Sequence, residues 1–320
     1  MLSRYFLVLV MMIALGPFLM AQEVPRGSGG FAQYGVGVGA QALGMGSAFT
    51  AIAGGPETVY WNPAALSEVG ATQAGGMYTA PFAQAVEGGG YSVQYVGLAS
   101  PVDGLGLGVG WFNVRVEDIP ITDGDTFDYD ASVFIGGAAI SEDLEGIGRL
   151  YVGATAKLYR EQMLEGSAQG LGWDLGALLV VGNFRLGYCS QDVQGTRYRW
   201  QGTGQEPLVE IPWVHRIGLA VTWLEGTVLT AADVLFGLGD RPEFRLGATW
   251  APVEGFALRG GVRLEPQPGE PGYRPIWTAG LGVTWKSLQL DVAYIRSPIA
   301  TFGEGTFTTD TYVFSLVVSF

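Results

Sequence analysis

The sequence is poor in the residues that site chemistry most often needs. Its one cysteine, Cys189, has no partner for an intramolecular disulfide and offers no thiolate set for zinc. Its one histidine, His215, excludes a multi-histidine metal centre and leaves a single ring for any Ser-His-Asp arrangement. Charge is scarce: Asp, Glu, Lys and Arg are 15% of the chain, against roughly 25% in ordinary soluble domains. The 17 basic residues are outnumbered by 30 acidic ones, and a net charge of −13 offers no basic face to nucleic acid. Beyond the first 21 residues no apolar run reaches the length of a membrane-spanning helix, about 18 residues or more. No catalytic residue, metal or cofactor is expected.

What is present fits another solvent. Hydrophobic residues make up 48% of the chain, mean hydropathy is +0.26, and there are 51 glycines, 16 Phe, 14 Tyr and 9 Trp. High apolar content without helical spans, with dense glycine and aromatics, matches an outer-membrane β-barrel; a soluble sandwich or β-helix is the alternative on composition alone. The last ten residues sharpen the choice. Tyr312, Phe314, Leu316, Val318 and Phe320 share one side of an extended strand, and Thr311, Val313, Ser315, Val317 and Ser319 the other. Such a greasy edge strand invites aggregation in water. In a membrane about ten residues span the bilayer at a tilt, and the last strand closes the barrel against the first.

The start of the chain is equally legible. Arg4 followed by the apolar run Tyr5–Ala21 reads as a secretory signal peptide over residues 1–21, a retained anchor helix being the less favoured option. Residues 22–70 form a leader and a glycine-rich segment expected to tuck against or inside a lumen. Within it, Asn62 can cap a short helical turn that Pro63 begins. Residues 71–320 form the barrel, with no linker of shifted composition to divide them. The expected fold is all-β: a transmembrane antiparallel barrel of about 14 strands with a short N-terminal plug, in the outer membrane of a Gram-negative bacterium.

Two patterns support the strand count. Gly182-Asn183, Glu225-Gly226 and Lys286-Ser287 are minimal turns, and between them lie the longer, more polar stretches Gln191–Pro212, Glu265–Tyr273 and Ser297–Asp310. That alternation is the one expected of periplasmic turns and outer loops. Aromatic residues also bracket the spans. Trp213 and Trp223 share a face ten positions apart, ~33 Å of strand or ~25 Å of height at a ~40° tilt. Trp277 and Trp285 flank another span as part of the same girdle.

Charges inside such spans must face the interior, because a charge facing lipid costs a few kcal/mol. Parity assigns Lys157, Asp174, Asp233, Arg245, Arg259 and Arg263, with Tyr159, to a polar lumen. They either bind or conduct something or form a salt-bridged filling. His215 shares the outward parity of Trp213 and Ile217 and reads as an interfacial residue. Asp123, Asp125, Asp128 and Asp130 gather carboxylates in one outer loop, but not at the spacing of an EF-hand, so a solvated loop is expected. Gly35-x-Gly-x-x-Ala40 fits a dinucleotide fingerprint formally, yet it lacks the preceding strand.

Gly39-Ala-Gln-Ala-Leu-Gly-Met-Gly-Ser-Ala-Phe49, followed by Val59-Tyr-Trp-Asn-Pro-Ala-Ala-Leu66, resembles the opening of the PorV/PorQ family of outer-membrane barrels, within the FadL-like superfamily. Gln41, Gly54-Gly55 and Ala65 depart from the family pattern. The resemblance implies an accessory or cargo-shuttle role in type IX protein secretion, with secreted proteins or components of that system as partners. Its FadL-like alternative is a channel for hydrophobic small molecules. It also implies that Gly44, Met45 and Gly46, with Trp61, Asn62, Pro63 and Ala64, shape a hatch in the lumen. Tyr312, Phe314 and Phe320 form the assembly signal read by the barrel-assembly machinery, and membrane lipids surround the wall.

Overall fold

Alternation of apolar with small or polar residues produces sixteen strands in a computed structural model, which describes residues 37–80, 90–121, 124–202, 206–267, 269, 271–302 and 305–320. The expected signal segment and leader, and Asp123 of the acidic loop, lie outside the described residues. The strands are β1 (Gln73–Thr79), β2 (Tyr91–Val102), β3 (Leu105–Pro120), β4 (Thr126–Leu144), β5 (Gly148–Met163), β6 (Gly166–Val181), β7 (Phe184–Gln191), β8 (Thr196–Gln201), β9 (Leu208–Ile211), β10 (Val214–Trp223), β11 (Val228–Phe236), β12 (Glu243–Val253), β13 (Phe256–Pro266), β14 (Tyr273–Trp285), β15 (Leu288–Phe302) and β16 (Gly305–Ser319). Fourteen of them close a barrel: β1–β7 then β10–β16, each antiparallel to the next. β16 returns to β1 from Gln73↔Ser319 to Thr79↔Val313, so no edge of the main sheet stays open.

Side-chain parity follows from closure. On β16, Tyr312, Phe314 and Leu316 point outward and are exposed, whereas Val313, Ser315 and Val317 are buried inside. Val109, Phe134, Leu171, Leu219, Leu246 and Leu290 continue the outward apolar belt around the wall. A continuous exposed belt of this kind is stable only against lipid. Among the described residues no helix is long and apolar enough to cross a membrane. On β2 the aromatic side faces in: Tyr95 is buried, while Val96 and Leu98 are exposed.

The short joints gather at one end. Asp103-Gly104 joins β2 to β3 with both residues at positive φ, the backbone a tight hairpin requires. Gly182-Asn183 and Lys286-Ser287 are two-residue turns. The joint expected at Glu225-Gly226 is longer: Leu224–Gly226 form a 3-10 turn before Thr227, with Leu224, Glu225 and Gly226 all at positive φ. At the other end two expected loops carry structure. Gln191–Pro212 contains the β8–β9 hairpin, and Ser297–Asp310 mostly continues β15 and β16, whose backbones pair out to Phe302↔Gly305. β-branched runs such as Thr306-Phe-Thr-Thr309 extend a ladder readily, so polarity alone misreads them as loop.

Residues 37–70 fill the barrel. Helix α1 (Ala40–Gly44), helix α2 (Thr58–Trp61) and a 3-10 turn (Pro63–Glu68) pack inside the wall. The glycine-rich stretch therefore does hold a short helix, against its composition. Asn62 caps the 3-10 turn by accepting from the Ala64 N–H, with Pro63 at its first position. The core consequently lies within the barrel. Val38, Leu43, Met45, Phe49, Val59, Trp61 and Leu66 are wholly or almost wholly buried, together with wall residues such as Tyr95, Phe112 and Leu178.

Candidate functional site

The segment over residues 37–70, expected as a hatch from the resemblance and named so for its place in the lumen, sits on a ring of wall glycines. A Cβ at Gly106 or Gly108 would strike Leu66, at Gly153 Pro63, at Gly176 Asn62, at Gly187 or Gly218 Thr50, at Gly247 Met45, at Gly261 Gly46, and at Gly280 Gly44. Several are direct cross-strand partners: Gly108↔Gly137, Gly153↔Gly176, Gly187↔Gly218 and Gly247↔Gly261. Removing the side chain from both members lets hatch backbone approach the wall backbone.

Polar groups of the wall complete the seat. Gly46 N–H donates to Thr278 Oγ1 (2.9 Å), which donates to the Gly44 carbonyl (3.0 Å). Thr249 Oγ1 donates to Met45 Sδ at 3.1 Å. Ala40 N–H donates to Ser315 Oγ at 2.8 Å. Asp233 Oδ2 accepts from the N–H of Phe49 (3.0 Å), the N–H of Thr50 (3.0 Å) and Thr50 Oγ1 (2.7 Å). Asn62 Nδ2 donates to the carbonyls of Thr50 (2.8 Å) and Ala177 (3.2 Å), tying hatch to hatch and hatch to β6. Arg185 binds the Ala51 carbonyl and the carboxylate of Glu68. Trp61 donates from Nε1 to the Val38 carbonyl (2.8 Å), packs edge-on to Tyr60, and lies beneath the guanidinium of Arg216 (5.1 Å to the ring centre). Pro63 and Ala64 face Gly153.

The six charged residues assigned to the lumen are buried inside it, but in separate groups rather than one site. Lys157 bridges Asp174 (2.7 Å) and Asp192 (3.0 Å), and Tyr159 and Thr196 donate to Asp192. Arg245 pairs with Glu243 at 2.7 Å, Arg259 with Asp291 at 2.5 Å, and Arg263 with Glu265 at 3.3 Å. Asp233 holds the hatch. Paired charges of this kind satisfy one another and stiffen a lumen. Glu57, in the hatch, is different: burial pushes its carboxyl up from the ordinary 4.5 to about 7, with Asp291 acting in the same direction and its own backbone N–H and Arg259 opposing.

Parity found the charged positions, but Glu57 in the hatch and Asp192, Arg216 and Asp291 in the lumen were missed. Arg216 and Asp291 carried the signal, each alternating with outward apolar neighbours such as Ile217 and Leu290. Outside the wall, Trp223, Trp277 and Trp285 are exposed, and Trp213 is half-buried with Nε1 donating to Ser190. Tyr312, Phe314 and Phe320 are exposed on the outward face of the terminal strand. His215 bonds the Tyr188 hydroxyl (2.9 Å) on the outer side of the wall. Among the described residues no group of three or more His, Cys, Asp or Glu is placed to hold a metal ion.

The ladder of the wall is interrupted beside β6. β6 pairs with β7 over Leu175–Val181 and with β8 at Ser167 and Ala168. Among the described residues, Gln169–Asp174 between them have no ladder partner on that side; Val193 N–H donates to the Trp173 carbonyl (3.0 Å) and Asp192 N–H to Asp174 Oδ1 (2.9 Å). Leu171 and Trp173 stand exposed on the outward face of this stretch. On its inner face a Cβ at Gly170 would meet the ring of Tyr198, and one at Gly172 would meet Asp192 and Thr196.

No protein-family model matches the chain, and no curated protein matches it. Solved structures do. The monoaromatic hydrocarbon channel CymD superposes with a TM-score of 0.66 at 16% identity, over 89% of this chain and 98% of the channel. The toluene transporter TbuX of Ralstonia pickettii gives 0.61 at 13%, over 89% and 98%. The toluene transporter TodX of Pseudomonas putida gives 0.58 at 15%, over 88% and 98%. At these identities the likeness is one of fold, and nothing in it singles out PorV/PorQ. The chain shares the β-barrel fold of these hydrocarbon channels and transporters.

Proposed function

We propose that the protein admits small hydrophobic molecules across the outer membrane of a Gram-negative bacterium. The observation that carries this reading is the hatch. Wall glycines and polar bonds seat it around the barrel, so among the described residues the lumen is filled rather than open as in a porin. A solute that dissolves in lipid does not need one. The unpaired stretch of β6, apolar on its outer side, gives such a solute a sideways route. The toluene and monoaromatic hydrocarbon carriers that share the fold support the same solute class. The type IX export role implied by the opening motifs has no comparable support in fold or site.

The test is import of radiolabelled toluene by cells with and without the gene. Slower import on deletion, restored by the wild-type copy, with an unchanged secretome, is the expected result. Unchanged import with exported proteins retained in the periplasm would reverse the choice in favour of export.

A further inference from the structure

The seat of the hatch contains an unmatched pair. Asp233 spends one carboxylate oxygen on three hatch donors, while Oδ1 has no hydrogen-bond partner. Arg216, 1% exposed, leaves Nε and Nη1 without partners and rests over Trp61 of the hatch. Orphaned buried groups of this strength are costly and call for an explanation. The register supplies one. Asp233 on β11 lies opposite Gly218 on β10, and Arg216 lies two residues along β10 on the same inward face. Such diagonal neighbours are ~7–8 Å apart at Cα, within reach of an arginine. Between them on this face stands Gly218, whose missing side chain leaves room beside Asp233 and Thr50.

We propose that Asp233 is the latch of the hatch and that Arg216 is its alternative partner. With the hatch seated, Asp233 binds Phe49 and Thr50, and Arg216 is held by the face of Trp61. When the loop around Thr50 withdraws, Asp233 loses three donors and Arg216 loses its ring, and the two close on each other as an ion pair. In the open state the ion pair replaces the lost donors and the lost ring, so neither group is left as an uncompensated charge when the hatch moves. It rests on the transport reading only in requiring that the hatch moves.

Cys189 is a built-in reporter. It is the sole cysteine, fully buried on the inward face of β7, and it pairs directly with Arg216. The experiment is the rate of N-ethylmaleimide labelling of the full-length protein, folding being checked by heat-modifiable mobility. Asp233→Ala should speed labelling at least about tenfold, the factor for losing roughly one hydrogen bond to a charged group. Arg216→Met should slow it, because the open state loses its ion pair, and Arg216→Lys should recover part of the loss. With Asp233 already removed, Arg216→Met should add little. Thr50→Val removes one latch donor while leaving the wall intact, and should speed labelling by a smaller factor even if the wall variants fail to assemble.

Unchanged labelling in Asp233→Ala or Thr50→Val, or fully additive effects of the two wall substitutions, would overturn the proposal. Labelling needs no transported solute. Failed toluene import with the expected labelling pattern removes the solute assignment and leaves the latch standing; the reverse removes the latch alone.

Discussion

At the scale of single residues, adjacent positions on one strand live in different solvents. Trp277 is exposed outward on β14, while Thr278 is buried and bonds Gly44 and Gly46. Trp277→Asp places a carboxylate against lipid, at a cost of up to about 1 kcal/mol near an interface, and removes the buried edge of an aromatic anchor. It should lower the heat-modifiable fraction in the outer membrane; Thr278→Asp should assemble and loosen the hatch instead. Equal assembly defects would place the register one residue out. Glu57 gives a second test. The released carboxyl titrates near 4.5 and the seated one near 7, so the seated hatch holds the proton more tightly. Its stabilising contribution is complete below pH 4.5 and lost as pH rises through 7. In planar bilayers, openings should therefore be more frequent at pH 8 than at pH 5.5. Glu57→Gln should flatten that dependence; an unaltered profile would assign it to another group.

At the scale of elements, the glycine ring decides how hatch meets wall. Gly136 and Gly176 make the comparison clean. A Cβ at Gly136 meets nothing within 4 Å, whereas one at Gly176 runs into the Asn62 side chain and the Ala64 backbone. Gly176→Val should cost about 1–3 kcal/mol by overpacking and raise susceptibility to antibiotics that the outer membrane excludes; Gly136→Val should do neither. The strands themselves were legible because alternation is written in side chains, as on β14 and β16. The ring was not, because glycine has no side chain to alternate and its role appears only once Gly153 and Gly176, or Gly187 and Gly218, are brought opposite each other. The β8–β9 hairpin was hidden for a related reason: Arg197, Arg199 and Gln201 make it look like a loop, while Tyr198 and Trp200 on its other face are buried. The terminal strand adds a further prediction. Phe320 N–H donates to the Thr72 carbonyl at the seam between β16 and β1. Its deletion should sharply reduce the heat-modifiable protein in the membrane, and normal levels would show that the seam closes without it.

For the whole molecule, a filled lumen and a discontinuous wall are complementary. On the transport reading a barrel with a seated hatch needs some other way out for its solute, and among the described residues Gln169–Asp174 is where β6 has no ladder partner on one side. Tyr198 stands there on the inner side, with Asp192 and Thr196 further along. Its ring lies beside Gly170 and is stacked on Tyr159 (6.1 Å between centres, 18°), and its hydroxyl donates to Glu161. That hydrogen bond ties the β8–β9 hairpin to β5 beside the gap. Tyr198→Ala removes the ring and the bond together, while Tyr198→Phe keeps the ring and loses only the bond. If solute leaves sideways, cells carrying Tyr198→Ala should take up the hydrophobic dye 1-N-phenylnaphthylamine several-fold faster than wild type, with Tyr198→Phe between them. Gly170→Leu, which crowds the same space from the β6 side, should slow uptake. If all three variants assemble and match wild type, the solute does not pass the β6 gap, and the route must run past the hatch to the end where the short turns gather.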